Sequence, residues 1–252
     1  NVLCPTMLYT DKRGEDEAKD IAEKLGNERI FKVSGTVPHP MYSVYKLLWI
    51  KKNKPEIYAK AEKALLICDY LGYLLTGRNV IDYSLAARTG ILDIKKLCYD
   101  RSLSEEIGIN EKLFSSPCRA GTVVGEIKAD IAEELGIQGC KLVLGAHDQV
   151  CTALGAGVIE NGQAVDGLGT VECITAVYDG VRDEADMGEK GLTCIPYAID
   201  GLYCTYIVHY SSGSLINWFK NDILHKYKGE ECNVFAYLEG RMKEGPGGIF
   251  TL

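Results

Sequence analysis

The feature that most constrains the fold is a strand-to-helix junction in the middle of the chain. The apolar run Lys141-Leu142-Val143-Leu144-Gly145 reads as a strand, and a helix built on Cys151, Leu154 and Gly155 follows it. Between the two stand Ala146-His147-Asp148-Gln149. Ligands of open α/β sheets bind at the carboxyl ends of strands. The junction therefore predicts an α/β protein with Asp148 facing a ligand cleft.

A carboxylate at such a junction is suited to accept the proton of a hydroxyl group during phosphoryl transfer. Aspartate is also a common cap at the start of a helix. The residues alone leave both roles open for Asp148.

A second cluster, Gly167-Leu168-Gly169-Thr170, lies between the strand-like segments 163–168 and 172–178. Small residues let backbone amides approach a phosphate closely, and the threonine hydroxyl adds a hydrogen-bond donor. A plain hairpin turn has the same composition, so this cluster alone does not decide between the two.

The remaining pattern predicts a helix-rich first part and an α/β second part. Their boundary is expected near residue 142, which gives domains of residues 1–142 and 143–252. Apolar periodicity and helix-start and helix-stop residues predict helices over 15–26, 43–52, 55–64, 69–76, 84–89, 103–108, 129–135 and 211–220. Further strands are predicted over 121–127 and 202–208.

Composition argues against several partners. The net charge is −7 over 252 residues and no Lys/Arg-rich block stands out, whereas nucleic acids and anionic membranes select a positive face. No apolar stretch reaches the roughly 18 residues that span a bilayer. The ten cysteines contain no CxxC pair and only four histidines accompany them. We expect reduced cysteines in a cytoplasmic protein.

The two glycine-containing clusters together resemble the FGGY carbohydrate kinases, which include xylulose, gluconate and glycerol kinases. In that family a Gly-x-Gly-Asp-Asn/Gln motif, an Ala-Leu-Gly-x-Gly helix and a Leu-Gly-Thr hairpin follow one another. This chain has them in the same order as 145–149, Ala153-Leu154-Gly155-Ala156-Gly157 and 167–170.

The resemblance extends upstream over nearly the whole chain. The matching runs are similar to the family's Trp-x-Asp-x-Arg, Lys-Leu-Leu-Trp, Pro-Glu, Asp-Tyr-Leu-x-x-x-Leu-Thr-Gly and Asp-Tyr-Ser-x-Ala-Ser/Ala-x-Thr segments. They are Tyr9-Thr10-Asp11-Lys12-Arg13, Lys46-Leu47-Leu48-Trp49, Pro55-Glu56, residues 69–77 and residues 82–89.

The resemblance implies an actin-like ATPase (ribonuclease H-like) fold of two α/β domains. It implies ATP-dependent, magnesium-assisted phosphorylation of a terminal hydroxyl of a sugar, sugar acid or polyol. Asp148 would be the general base, and ATP phosphates would face Gly169 and Thr170. The substrate would contact Asp11, Arg13, Tyr83 and Gln149.

Each of the other roles has a structural alternative. Tyr83 could be a half-buried core aromatic, and Asp11 with Arg13 a surface ion pair. The partner would be a small sugar or polyol, with no nucleic acid or membrane, in a monomer or a homodimer.

Departures from the family pattern keep a second function open. Tyr9 replaces a tryptophan, His147 replaces a small residue, and Val171-Glu172 replaces a common Ser-Gly. The family's first phosphate hairpin, its Gln-x-His-Gly sugar loop and its adenosine-binding Gly-Gly segment are not among these residues. The resemblance therefore implies a chain incomplete at both ends that does not turn over ATP alone. The alternative is a non-catalytic sugar-binding relative on the same scaffold.

Overall fold

A computed structural model describes residues 1–169, 171–182, 185–210, 212–225 and 233–241 of the chain. Its helices are α1 Glu15–Leu25, α2 Asn27–Ser34, α3 Ser43–Asn53, α4 Pro55–Lys60, α5 Ile67–Thr76, α6 Tyr83–Ala87, α7 Arg101–Ile107, α8 Ala129–Leu135, α9 Asp148–Gly155, α10 Ala185–Glu189, α11 Ser212–Trp218 and α12 Val234–Glu239. A 3₁₀ turn covers Glu111–Leu113, and a π-helical segment, Phe219–Leu224, continues α11.

In the described part of the chain, the strands before residue 163 have two to four residues, and after it come three longer strands and one strand of two residues. They are β1 Val80–Asp82, β2 Leu92–Asp93, β3 Cys98–Tyr99, β4 Ser116–Cys118, β5 Val123–Glu126, β6 Lys141–Val143, β7 Ala164–Leu168, β8 Glu172–Asp179, β9 Ile195–Pro196 and β10 Leu202–His209.

Four small sheets result from these strands. β1 pairs in parallel with β4, whereas β2 with β3 and β5 with β6 are antiparallel pairs. The fourth sheet has the strand order β7-β8-β10-β9.

Local sequence explains where the best-predicted helices begin and end. Acidic side chains fill the first turn of α1, where the positive end of the helix dipole favours them, and Lys24 lies in the last turn. Ala18 and Ile21 are buried on one face, and Gly26 ends the helix. The predictions at 15–26 and 129–135 are confirmed, whereas the one at 55–64 is too long, because α4 ends at Lys60.

The junction before Asp148 differs from the predicted one in one respect. β6 ends at Val143 and pairs antiparallel with β5, and the side chains of Lys141 and Val143 are exposed. Among the described residues, β6 is therefore an exposed antiparallel strand, whereas the prediction was a buried strand of an open parallel sheet. An apolar run of five residues cannot by itself distinguish a buried strand from an exposed one.

Spatial packing divides the chain into two units. The first contains Asn1–Val165 and Thr175–Ile207, and the second contains Asp166–Ile174 and Val208–Leu252. The boundary at residue 142 concerns domains of the family and stays a prediction. Among the described helices, none is long and apolar enough to cross a membrane.

One hydrophobic core of the first unit determines where the junction lies. Val150 and Ala153 of α9 and Ala86 and Ala87 of α6 are all fully buried in the same cluster. Residues of β8, β9 and β10, including Val177, Ile195 and Cys204, complete it. The first turns of α6 and α9 are therefore held by shared packing.

Candidate active site

Asp148 is the first residue of α9, and His147 precedes it as the helix cap. The buried residues Val150 and Ala153 anchor this helix in the core. The side chain of Asp148 is 81% exposed. The junction therefore presents a carboxylate to solvent from a backbone that packing holds in place.

The two carboxylate oxygens of Asp148 have different surroundings. Oδ1 accepts a hydrogen bond of 2.7 Å from the backbone N–H of Gln149 and lies 3.1 Å from Nδ1 of His147. Oδ2 makes no hydrogen bond with any residue in the described ranges. One oxygen thus fixes the orientation, and the other is open to accept a proton.

Ser84 joins the junction to helix α6. The backbone N–H of His147 donates to Oγ of Ser84 at 2.8 Å, across 63 residues of sequence. The Ser84 hydroxyl in turn donates to Oδ1 of Asp82. Asp82 caps α6 by accepting from the backbone N–H groups of Ser84 and Leu85 at 2.9 and 3.3 Å. A buried carboxylate, a buried hydroxyl and one backbone amide thus form a continuous chain that ends beside Asp148.

His147 is a neutral imidazole at physiological pH. Its side chain is only 17% exposed, and its ring lies 5.3 Å from the ring of Tyr206. Burial, and after it the positive charge of Arg88, lower the pKa of His147 to about 4, against the opposing effect of Asp148. Desolvation disfavours the charged form of a buried histidine. His147 therefore contributes packing and polarity beside Asp148 rather than a full charge.

Tyr83 and Gln149 lie at the first turns of α6 and α9, and both are half-buried. The Tyr83 hydroxyl and the Gln149 side-chain amide have no hydrogen-bond partner in the described part of the chain. Because Ser84 bonds to His147, the two first turns lie close together. Both residues thus offer polar groups with free hydrogen-bonding capacity from helix starts that lie near Asp148.

Asp11 and Arg13 form a local ion pair in the turn before α1. Their side chains pair directly, and the Arg13 backbone N–H also donates to Oδ1 of Asp11 at 2.9 Å. This bonding holds the pKa of Asp11 well below its usual range. The turn rests on α3: the guanidinium of Arg13 lies 5.2 Å from the ring centre of Trp49, and Nζ of Lys46 donates to the Asp11 carbonyl at 2.6 Å. No described hydrogen bond or ion pair joins Asp11 or Arg13 to Asp148.

Gly169 lies in the second unit, in the turn between β7 and β8. Its N–H donates to the carbonyl of Val171 at 3.1 Å, and its own carbonyl accepts from the N–H of Gly213 at 3.0 Å. Thr170 lies outside the described residues. The backbone N–H of Gly169 is therefore already used in a hydrogen bond within the turn.

The residues in the described ranges form no group of three or more His, Cys, Asp or Glu side chains suited to hold a metal ion. Magnesium that accompanies a nucleotide is typically held by one or two carboxylates together with the phosphates.

Three residues important to this geometry were not singled out from the sequence as site residues. They are Ser84 and Tyr206, which contact His147 from positions distant in sequence, and Arg88, whose positive charge lowers the pKa of His147. The local pattern Asp82-Tyr83-Ser84 does carry the signal of a helix start. Nothing local indicates that the Ser84 hydroxyl reaches residue 147.

The fold and the junction define part of an actin-like ATPase scaffold of the sugar-kinase type. Solved structures support this: the chain is similar to ligand-bound xylulose kinase from Lactobacillus acidophilus, with a TM-score of 0.80, 27% identity, and coverage of 88% of this chain and 44% of that one. Xylulose kinase from Rhodospirillum rubrum, at 23% identity, matches in fold with a TM-score of 0.84 over 95% of this chain and 48% of that one.

Sequence comparison gives the family. Residues 1–155 match the N-terminal domain of the FGGY family of carbohydrate kinases, and the chain belongs to that family. It is 33% identical to gluconokinase of Bacillus subtilis over 75% of this chain and 36% of that protein. It is 27% identical to xylulose kinase of Lactococcus lactis over 86% of this chain and 43% of that protein. The chain thus spans less than half the length of these curated relatives.

Proposed function

We propose that the protein transfers the γ-phosphoryl group of ATP to a terminal hydroxyl of a sugar, sugar acid or polyol. The observation that carries the proposal is the exposed carboxylate of Asp148, which is held by one oxygen and open at the other. Its place at the start of α9 matches the position of the base in the FGGY motif.

In this mechanism Asp148 accepts the proton of the attacking hydroxyl through Oδ2. The hydrogen bond from Gln149 to Oδ1 keeps the carboxylate oriented toward that hydroxyl. Tyr83 and the Gln149 amide bind other substrate hydroxyls, and Asp11 with Arg13 lies at the rim of the sugar site. ATP would supply the phosphoryl group, and magnesium bound with it would neutralise phosphate charge.

The nucleotide phosphates are proposed to bind at Gly169 and Thr170. The N–H of Gly169 would have to exchange its bond with Val171 for one with a phosphate oxygen. We also propose a cytoplasmic location, because ATP and small sugars are available there.

A second candidate is a sugar-binding relative without turnover. The observation that favours it is the occupied Gly169 amide, together with Val171-Glu172 after it. Such a protein would be stabilised by a sugar yet release no ADP in its presence.

The test is Asp148→Asn in the full-length protein. We measure sugar-dependent ADP release across ketoses, aldonates and polyols, and sugar binding by calorimetry. A general base contributes typically about 10²–10⁴-fold, so the variant should lose at least about 100-fold in rate while sugar affinity changes little. Asp130→Asn is the matched control, because Asp130 is another exposed aspartate in the first turn of a helix, α8.

A rate within tenfold of wild type in Asp148→Asn contradicts the assignment of the base. Sugar binding without ADP release in the wild-type protein favours the non-catalytic relative.

A further inference from the structure

Lys46 on helix α3 carries a buried ammonium group that makes no ion pair among the described residues. The residue is 8% exposed, and its Nζ donates to the backbone carbonyl of Asp11 at 2.6 Å. That carbonyl is its only hydrogen-bond acceptor in the described part of the chain. Lysine is almost never fully buried without a partner, because the ammonium group loses its hydration there. The bond to the Asp11 carbonyl is therefore the described interaction that compensates the burial of this charge.

Two further contacts hold the turn that contains Asp11 against α3. The guanidinium of Arg13 lies 5.2 Å from the ring centre of Trp49. Gly14 has a φ of +97°, and a Cβ added to it would lie 2.8 Å from the backbone carbonyl carbon and oxygen of Tyr45. Only a residue without a side chain lets the two backbones approach this closely. The turn is therefore docked on α3 at several points.

The docked turn leaves one nitrogen of the Arg13 guanidinium free. Nε and Nη2 of Arg13 donate to the carboxylate of Asp11, and the backbone N–H of Arg13 donates to the same carboxylate. Nη1 has no hydrogen-bond partner in the described ranges, and the Arg13 side chain is 44% exposed. Because the carboxylate joins the backbone and the guanidinium, the position of the Asp11 backbone determines where Nη1 points.

We propose that Lys46 is a positioning residue for sugar binding: it holds the Asp11 backbone so that Nη1 of Arg13 donates to a hydroxyl oxygen of the sugar. The inference rests on the proposed function for the place of Arg13 at the rim of the sugar site, and on no step of phosphoryl transfer. Lys46 itself touches no substrate. Its loss should weaken the binding of the sugar and leave the chemical step at Asp148 nearly unchanged, which raises KM at constant kcat.

The experiment measures sugar binding and turnover separately in the full-length protein. The probes are D-xylulose, D-gluconate and glycerol, and the one that binds most tightly to the wild-type protein is used with the variants. Its Kd is measured by calorimetry without nucleotide, and kcat and KM are measured from ADP release.

Three substitutions on α3 isolate the bond to the Asp11 carbonyl. A hydrogen bond to a charged group is worth about 10- to 100-fold in affinity. Lys46→Met should therefore raise Kd and KM at least about tenfold, while kcat changes less than about threefold. Lys46→Arg retains a donor for the carbonyl and should recover part of the affinity. Lys51→Met is the matched control, because Nζ of Lys51 also donates to a backbone carbonyl at 2.6 Å, that of Gly108, and it should change neither constant.

A double-mutant cycle separates positioning from a general loss of stability. If Lys46 acts through Arg13, the effect of Lys46→Met on Kd should nearly vanish in the Arg13→Gln background, because the donor that Lys46 positions is already gone. A loss of stability alone would add to the effect of Arg13→Gln. Urea unfolding checks that the Lys46→Met protein is folded under the binding conditions, and Lys46→Gln replaces it in the cycle if it is not.

The outcomes separate this inference from the proposed function. Sugar binding that weakens in Lys46→Met only while the Arg13 side chain is present supports the inference, even if no ADP is released, in which case turnover alone is refuted. An unchanged Kd in Lys46→Met, or an equal loss with and without the Arg13 side chain, overturns the inference and leaves the role of Asp148 intact. A fall in kcat at constant KM also overturns it, and so does a wild-type protein that binds none of the three probes.

Discussion

Removing the hydroxyl of Ser84 should separate the contribution of α6 from that of Asp148 itself. Ser84→Ala leaves the backbone N–H of His147 without its 2.8 Å acceptor and removes one donor from Asp82. A buried polar group that loses its partner costs about 1–3 kcal/mol. Asp82 keeps its two backbone donors, so the cost of losing the Ser84 donor lies at the lower end of that range. The expected loss in the free energy of unfolding is about 2–4 kcal/mol.

The same change should lower the rate of phosphoryl transfer. Misplacing a reacting group by about 1 Å can cost on the order of 10²-fold, and residue 147 is directly bonded to the base in the chain. Urea unfolding measures the stability, and ADP release with the best sugar substrate measures the rate. We expect kcat to fall about 10- to 100-fold while the Kd of the sugar changes less.

Ser104→Ala is the matched control for this prediction. Ser104 is also fully buried, but its hydroxyl donates only to the carbonyl of Asp100, the N-cap of the same helix, at 2.7 Å. Its removal leaves that carbonyl bonded to the Ser104 N–H, so the loss should stay near 1 kcal/mol, about the value of one hydrogen bond, with no change in rate. Equal effects of the two substitutions on rate would refute the idea that Ser84 positions the base.

Two further predictions concern the fold. Burial raises the pKa of Asp69 from 3.8 to about 6, so its contribution to stability is fully present below pH 3.8 and is lost as the pH rises through about 6. The free energy of unfolding should therefore fall by up to about 3 kcal/mol between pH 4 and 7. Asp69→Asn, which can still accept from Ser115, should flatten this fall in urea titrations over that pH range. An unchanged dependence of stability on pH in the variant would contradict the prediction. Gly35→Ala should destabilise by at least about 3 kcal/mol, because φ is +65° and a Cβ would lie 1.9 Å from the carbonyl oxygen of Cys194. Gly136→Ala, at φ +68° with open space around it, should cost only about 1 kcal/mol in the same urea assay; similar losses at both positions would contradict the clash.

Local sequence was sufficient for the elements that begin and end on strong signals. Helix α8 follows its predicted bounds because an amphipathic run is closed by Gly136. Helix α2 was missed, since Gly26 reads as a stop and the next helix starts directly after it with polar residues. The position of Asp148 at the start of a helix also follows from a local motif.

Long-range placement could not be read from the same patterns. The bond from His147 to Ser84 spans 63 residues, and no local periodicity encodes which hydroxyl meets which amide. The exposure of β6 depends on which strand it pairs with, and a five-residue run does not carry that information.

The anchoring of the base through α6 rather than through β6 has a consequence for local unfolding. Strand β6 is three residues long, and two of its side chains are exposed, so β6 has little buried surface of its own to hold it against β5. Segments of this kind open with much smaller free energies than core elements. The start of α9 draws its support from the shared core and from Ser84, and so it does not depend on the pairing of β6 with β5. The molecule thereby separates a segment that can fray and re-form from the carboxylate that must remain in place.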